Sequence, residues 1–91
     1  MNREEVKELD TILFEVKKEI GKAIEKYVPM FSPHEGMSIL KEEVDELWDE
    51  VKKKQPQNKE AMRKEAIQVA AMAVRFIYDI CSENRDYGRK L

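Results

Sequence analysis

Glu43-Val-Asp-Glu46 and, after eighteen intervening residues, Glu65-Ala-Ile-Gln68 set oxygen-bearing side chains at a spacing that can do chemistry. Residues three apart lie side by side on a helix surface, with about 5–6 Å between Cβ atoms. Two such pairs on facing helices aim four ligands at one point, which is how helical bundles build sites for hard cations. Mg²⁺ is the natural occupant, with Mn²⁺ as a substitute, because it takes oxygen ligands, keeps several waters and shares its shell with substrate phosphates. A carboxylate in or beside that shell can orient or deprotonate a water for attack on phosphorus. Gln68 is the odd member, neutral where a fourth carboxylate is expected. Glu42 and Glu50 are the nearby carboxylates that could stand in for it.

Helices rich in Lys and Glu also generate Glu-x-x-Glu pairs that only meet water. What sets these apart is the setting of Glu65 and Gln68. They interrupt an otherwise apolar helix, where a polar group needs a partner to offset its desolvation.

Three helices must position these residues. The first is expected over about 3–28. Its seam is Val6, Leu9, Leu13, Val16, Ile20, Ala23 and Tyr27, at alternating steps of three and four, and Pro29 ends it. Ser32-Pro33-His34-Glu35 reads as the next helix start, with a Ser cap, Pro at the first helical position and Glu three residues after the cap. That helix is expected over about 33–54 with the seam Met37, Leu40, Val44, Leu47 and Val51. Ile39, Glu43, Glu46 and Glu50 share a flank about 60° wide at 100° per residue. Gln55-Pro56-Gln57-Asn58 is a turn, Asn58 a cap, and the third helix is expected over about 59–82. From Ala66 to Cys81 it is apolar nearly all round, with Glu65, Gln68, Arg75 and Asp79 as a single polar stripe. A helix apolar on every side is buried on every side, and two other helices cannot cover it. The expected fold is therefore all-α: one domain over 1–91, a small antiparallel bundle of three helices per chain, completed into four-helix-type bundles by a second copy. Residues 83–91 are expected to be a peripheral tail.

Charged residues make up 40% of the chain and the formal net charge is −2, so no global positive field draws it to a nucleic-acid polymer. The short basic runs Lys52–Lys54 and Arg85–Lys90 sit near helix ends, where they complement the helix dipole. Cys81 is the only cysteine, which excludes an intrachain disulfide and a Cys-based zinc site. Met1–Asp10 lacks the apolar core of a signal peptide, and no apolar run reaches the roughly 18 residues that span a bilayer. A cytoplasmic protein with no membrane partner is the expectation.

Leu40-Lys41-Glu42-Glu43-Val44-Asp45-Glu46-Leu47 resembles the first motif of the MazG-like nucleotide pyrophosphohydrolases, the all-α NTP pyrophosphatases. That family's pattern is Glu-x-x-Glu, a gap, then Glu-x-x-Asp leading into an apolar helix. Glu65-Ala-Ile-Gln68-Val-Ala-Ala-Met occupies the second place. The resemblance covers roughly residues 33–82, and the first helix matches only as an amphipathic helix. It implies Mg²⁺-dependent hydrolysis of (deoxy)nucleoside triphosphates to monophosphate and pyrophosphate by water attack at the α-phosphorus. It also implies sites completed by dimerisation or tetramerisation. By position Glu43, Glu46 and Glu65 would be metal ligands, with Glu43 and Glu46 also in the catalytic role. Gln68 stands where the family has Asp. Its carbonyl can coordinate a metal but brings no charge, which leaves a second reading open: a catalytically weak or inactive nucleotide-sensing or protein-interaction bundle of the same fold. A purely structural helical bundle or coiled-coil module would explain the seams of the first two helices but not Glu65 and Gln68.

Other residues admit two readings each. Arg75 suits phosphate binding, although an i,i+4 ion pair with Asp79 is the favoured role. His34, at a helix start, could contact phosphate or base, but a surface residue beside a cap is the simpler account. Trp48 could stack on a nucleobase or, more in keeping with large aromatics, anchor packing against the first helix or a partner subunit. Asn84 and Arg85 could reach the phosphates of a neighbouring protomer's site.

Overall fold

The computed structural model describes residues 1–82, and among these every regular element is helical. The helices are α1 (Arg3–Lys26), α2 (Pro33–Val51) and α3 (Lys59–Phe76), the last continued by a π-helical turn over Ile77–Cys81. The expected 83–91 tail, Asn84 and Arg85 lie outside the described residues.

Local chemistry sets the boundaries. α1 opens with a reciprocal capping box: Asn2 Oδ1 accepts from the Glu5 amide at 2.9 Å, and Glu5 Oε1 accepts from the Asn2 amide at 3.0 Å. It closes at Lys26, two residues before the expected end: Tyr27 is already extended, and Val28, the residue before Pro29, is disfavoured in the α region. α2 starts as the sequence predicts, with Ser32 Oγ accepting from the Glu35 amide at 3.2 Å and Pro33 in the first turn. Glu35 Oε1 reaches back to the Phe31 amide at 2.8 Å. It ends at Val51 rather than Lys54, where the Gln57 side-chain amide takes the Val51 carbonyl at 2.7 Å. Asn58 caps α3 by accepting from the Ala61 amide at 3.0 Å.

α3 is the shared wall. It packs on α2 and on α1, while α1 and α2 scarcely touch each other. Its contacts to α1 climb in step, Glu15 with Arg63 and Glu19 with Gln68, so the two run parallel. Its contacts to α2 run the other way: Gly36 meets Phe76, and Glu43 and Glu46 meet Glu65. This up-down-up order puts the antiparallel pair α2/α3 at the heart of the molecule.

The core is small. Val16, Ala23, Met30, Ile67, Ala71, Met72 and Ile80 are buried, flanked by Ile12, Ile20, Ile39, Leu40, Ala70 and Phe76. α2 is turned so that Gly36, Ile39, Leu40 and Glu43 face inward, which leaves Met37 and Val44 of its expected seam outside. Met37 (55% exposed), Val44 (44%) and Trp48 (57%) form an uncovered apolar face. The first half of the α1 seam is uncovered for a different reason. Pairing Glu15 with Arg63 places the start of α3 near residue 11, so Val6 and Leu9 overhang it, and Leu13 and Phe14 are each 62% exposed.

At its C-terminal end α3 departs from the expected continuous α-helix. The Ile77 amide is shared between the Ala73 and Val74 carbonyls, and the backbone then widens into the π turn. Widening turns both Asp79 and Ile80 inward. Asp79 Oδ2 accepts from the Met30 amide at 2.9 Å and lies 3.6 Å from Arg75 Nη2, which itself donates to the Val28 carbonyl at 3.0 Å. The α1–α2 connection is thereby tied to α3. None of the described helices is long and apolar enough to cross a membrane.

Candidate functional site

Midway along the α2/α3 contact, Glu43 and Glu46 from one helix meet Glu65 from the other. One carboxylate oxygen of each lies within 4.8 Å of the other two. Glu43 and Glu65 are half-buried and Glu46 is exposed, so the cluster is open on one side. The antiparallel pairing makes this happen: the two motifs lie at matching heights, and the inward turn of α2 that buries Ile39 aims Glu43 the same way.

Three carboxylates this close cannot all keep their charge cheaply. Burial, then the neighbouring Glu46 carboxylate, pushes Glu43 up to about 7. Glu65 is raised for the same two reasons, burial first and Glu46 second. One Glu65 oxygen, Oε2, is buried without a hydrogen-bond partner within the protein. A buried acceptor left in that state costs about 1–3 kcal/mol. A cation between the three groups would remove both penalties together. The donor set is all oxygen and carries at most three charges, which fits Mg²⁺ or Mn²⁺ with water or phosphate filling the remaining positions.

Gln68 lies one turn after Glu65 but turns toward α1. Its Nε2 donates to Glu19 Oε2 at 2.8 Å, while Lys22 Nζ takes Glu19 Oε1 at 3.1 Å. The Gln68 hydrogen bond, followed by Lys22, holds the Glu19 carboxyl below its ordinary value. Glu19 therefore belongs to this neighbourhood as an anion. Sequence reasoning missed it, because on α1 it reads as one more solvated glutamate among lysines.

Beside the cluster, α1 and α2 diverge over α3 to form a cleft of about 730 Å³. Glu35, Ile39, Glu42 and Glu43 line the α2 wall, and Gln68, Met72 and Arg75 make the floor. The α1 wall carries Glu19, Lys22 and Lys26 and leads to Tyr27 and Val28. An acidic edge facing one that carries two lysines, with Ile39, Met72 and Tyr27 as apolar surface between them, suits a ligand that brings polyanion, metal and ring together. Lys22 and Lys26 were legible only as a spacing of four on a charged helix face.

The remaining candidates fall in different places. Arg75 lines the cleft but is 4% exposed, and its charge is spent on Asp79 and the Val28 carbonyl. His34 is exposed in the first turn of α2, nine residues before Glu43 and so about 13 Å away along the helix. Trp48 is exposed on the outer face of α2. Glu50 is tied to Lys53 Nζ at 2.9 Å, and Glu42 stands on the rim of the cleft. No family model, no curated protein and no solved structure matches this chain.

Proposed function

We propose that this protein is a metal-dependent nucleoside triphosphate pyrophosphohydrolase that converts a (deoxy)nucleoside triphosphate and water to the monophosphate and pyrophosphate. The observation that carries the reading is the meeting of Glu43, Glu46 and Glu65 at the edge of a cleft whose opposite wall bears Lys22 and Lys26. Glu43, Glu46 and Glu65 would hold Mg²⁺ or Mn²⁺, which when bound supplies charge neutralisation for the phosphates and lowers the pKa of water. The side chains do the rest. Lys22 and Lys26 take phosphate oxygens from the α1 side and fix the chain of phosphates across the cleft. Ile39, Met72 and Tyr27 offer apolar surface to the nucleoside. Glu43 and Glu46, in or beside that shell, would orient the attacking water and accept its proton.

Self-association belongs to the same proposal. Met37, Val44 and Trp48 on α2, Leu13 and Phe14 on α1, and Ile77 (60% exposed) beyond α3 leave large apolar side chains in water, the kind of surface that marks an interaction face. A homodimer or homotetramer that buries these faces would complete a four-helix arrangement.

The second reading, a catalytically weak nucleotide-sensing or protein-interaction bundle, is favoured by Gln68, which brings no charge and is bonded to Glu19. Pyrophosphate release from a panel of canonical and modified (d)NTPs with Mg²⁺ or Mn²⁺ separates the two, with Glu46→Ala as control. Release that vanishes in the variant establishes the enzyme. Metal-dependent stabilisation without release moves the assignment to the sensing bundle.

A further inference from the structure

We propose that Glu19 of α1 is a positioning residue of the acidic site, acting through Gln68, and that the Glu19–Gln68 pair does together what a carboxylate at position 68 would do alone. The inference rests on the reading of Glu43, Glu46 and Glu65 as a cation site. A carboxylate can only accept, so the Gln68 group facing Glu19 must be the amide nitrogen. That choice decides the other half of the amide. The carbonyl oxygen is left as the free acceptor of Gln68, on a residue that lines the same cleft as Glu43 and lies one turn from Glu65.

A glutamine is normally a poor substitute for aspartate at a cation site because nothing fixes which end of its amide points inward. Glu19 supplies the fix. It is itself held from the other side by Lys22 at 3.1 Å. The charge missing from α3 is present one hydrogen bond away, on α1, where it polarises the Gln68 amide and strengthens its carbonyl as a donor of electron density. Gln68→Asp would then not simply restore a ligand. It would set two carboxylates against each other unless Glu19 is neutralised as well.

The test is Mn²⁺ affinity, read from the free-ion signal in electron paramagnetic resonance, for a cycle of variants in the full chain. Glu19→Gln should weaken Mn²⁺ binding about 10-fold or more, as loss of an outer partner to a ligand does. Glu19→Asp, which keeps the charge but shortens the reach, should weaken it as well. In a Gln68→Met background, Glu19→Gln should change affinity by no more than about twofold, because the route through the amide is gone. Gln68→Asp combined with Glu19→Gln should bind more tightly than Gln68→Asp alone. Unchanged affinity in Glu19→Gln, or an equal loss with and without Gln68, would overturn the proposal while leaving the cation site standing. If wild type and Glu46→Ala bind Mn²⁺ equally or not at all, the cation site itself falls and this role of Glu19 with it.

Discussion

Asp79 and Met30 are joined by a hydrogen bond of 2.9 Å across 49 residues of sequence, and the acceptor sits on the π-helical turn that follows α3. The same carboxylate faces the buried Arg75 guanidinium. Asp79→Ala strips the partner from a charge that is 4% exposed, and breaking a buried pair in this way costs about 3–5 kcal/mol. Against a total stability of about 5–15 kcal/mol for a small domain, this should appear as a large drop in the urea midpoint. A change under about 1 kcal/mol would show that the loop is held by other contacts.

Glu43 makes the metal-free protein acid-stabilised. The unfolded chain releases this proton near 4.5 and the folded protein keeps it to about 7, so between these values the native state binds more protons and stability falls as pH rises. The loss begins above pH 4.5 and is complete above pH 7. Discounted for solvent screening it is about 1 kcal/mol, or about 4–8 °C in Tm between pH 4.5 and 8. Thermal melts in EDTA across that range should show the decline, and Glu43→Gln should flatten it. Added Mn²⁺ should restore Tm mainly above pH 7, where protons no longer compete for the site.

Gly21 and Gly36, both within helices, should respond oppositely to alanine. A Cβ on Gly36 would lie 2.6 Å from Phe76 Cδ2 and 3.2 Å from Met30 Sδ, so α2 and α3 must part or the Phe76 ring must move. Overpacking of this kind costs about 1–3 kcal/mol, against a gain of about 1 kcal/mol in helix propensity. Gly36→Ala should therefore be neutral to destabilising. Gly21 has open space at its Cβ, and Gly21→Ala should add about 0.5–1 kcal/mol. A Gly36→Ala protein as stabilised as Gly21→Ala in chemical denaturation would refute the close approach.

Trp48 reports on association. If the outer face of α2 is buried between copies, Trp48 emission should shift to shorter wavelength as protein concentration rises, in step with the mass measured by light scattering. Val44→Glu should abolish both changes, since an unpaired charge on that face opposes burial. Emission and mass independent of concentration and unaffected by Val44→Glu would place the interface elsewhere or remove it.

Much of the arrangement was legible in the sequence because helix signals are local. Ser32 and Asn58 announce their helices, the seams give the period, and Glu43, Glu46 and Glu65 fall together once α2 and α3 are taken as antiparallel neighbours. What was not legible depends on rotation and register. Periodicity identifies an apolar face on α2 but not how far it is turned from α3, so Met37 and Val44 of the seam, with Trp48 beside it, emerged outside while Ile39 and Glu43 of the acidic flank went in. The partner of Gln68 was equally hidden. Glu19 differs from Glu15, one turn earlier on the same face, only in the height at which α1 lies along α3, a tertiary quantity that no local pattern encodes. The π turn was hidden too, since Asp79 needs the distant Met30 amide to explain why the helix widens there.

Because α1 and α2 scarcely touch and each packs on α3, the two walls of the cleft answer to different constraints. The acidic wall is fixed by the packing of α2 on α3, where Gly36 and Ile39 leave little tolerance. The basic wall rides on a helix that contributes Val16 and Ala23 to the core and leaves most of its other surface in water. Exchanging Lys22 or Lys26, or lengthening the 27–32 connection, would resize the opening for a different cargo while the carboxylate trio stayed in place. In engineering terms the molecule separates a fixed carboxylate cluster from an exchangeable wall, and α1 is the part to randomise when the cleft is to be reshaped.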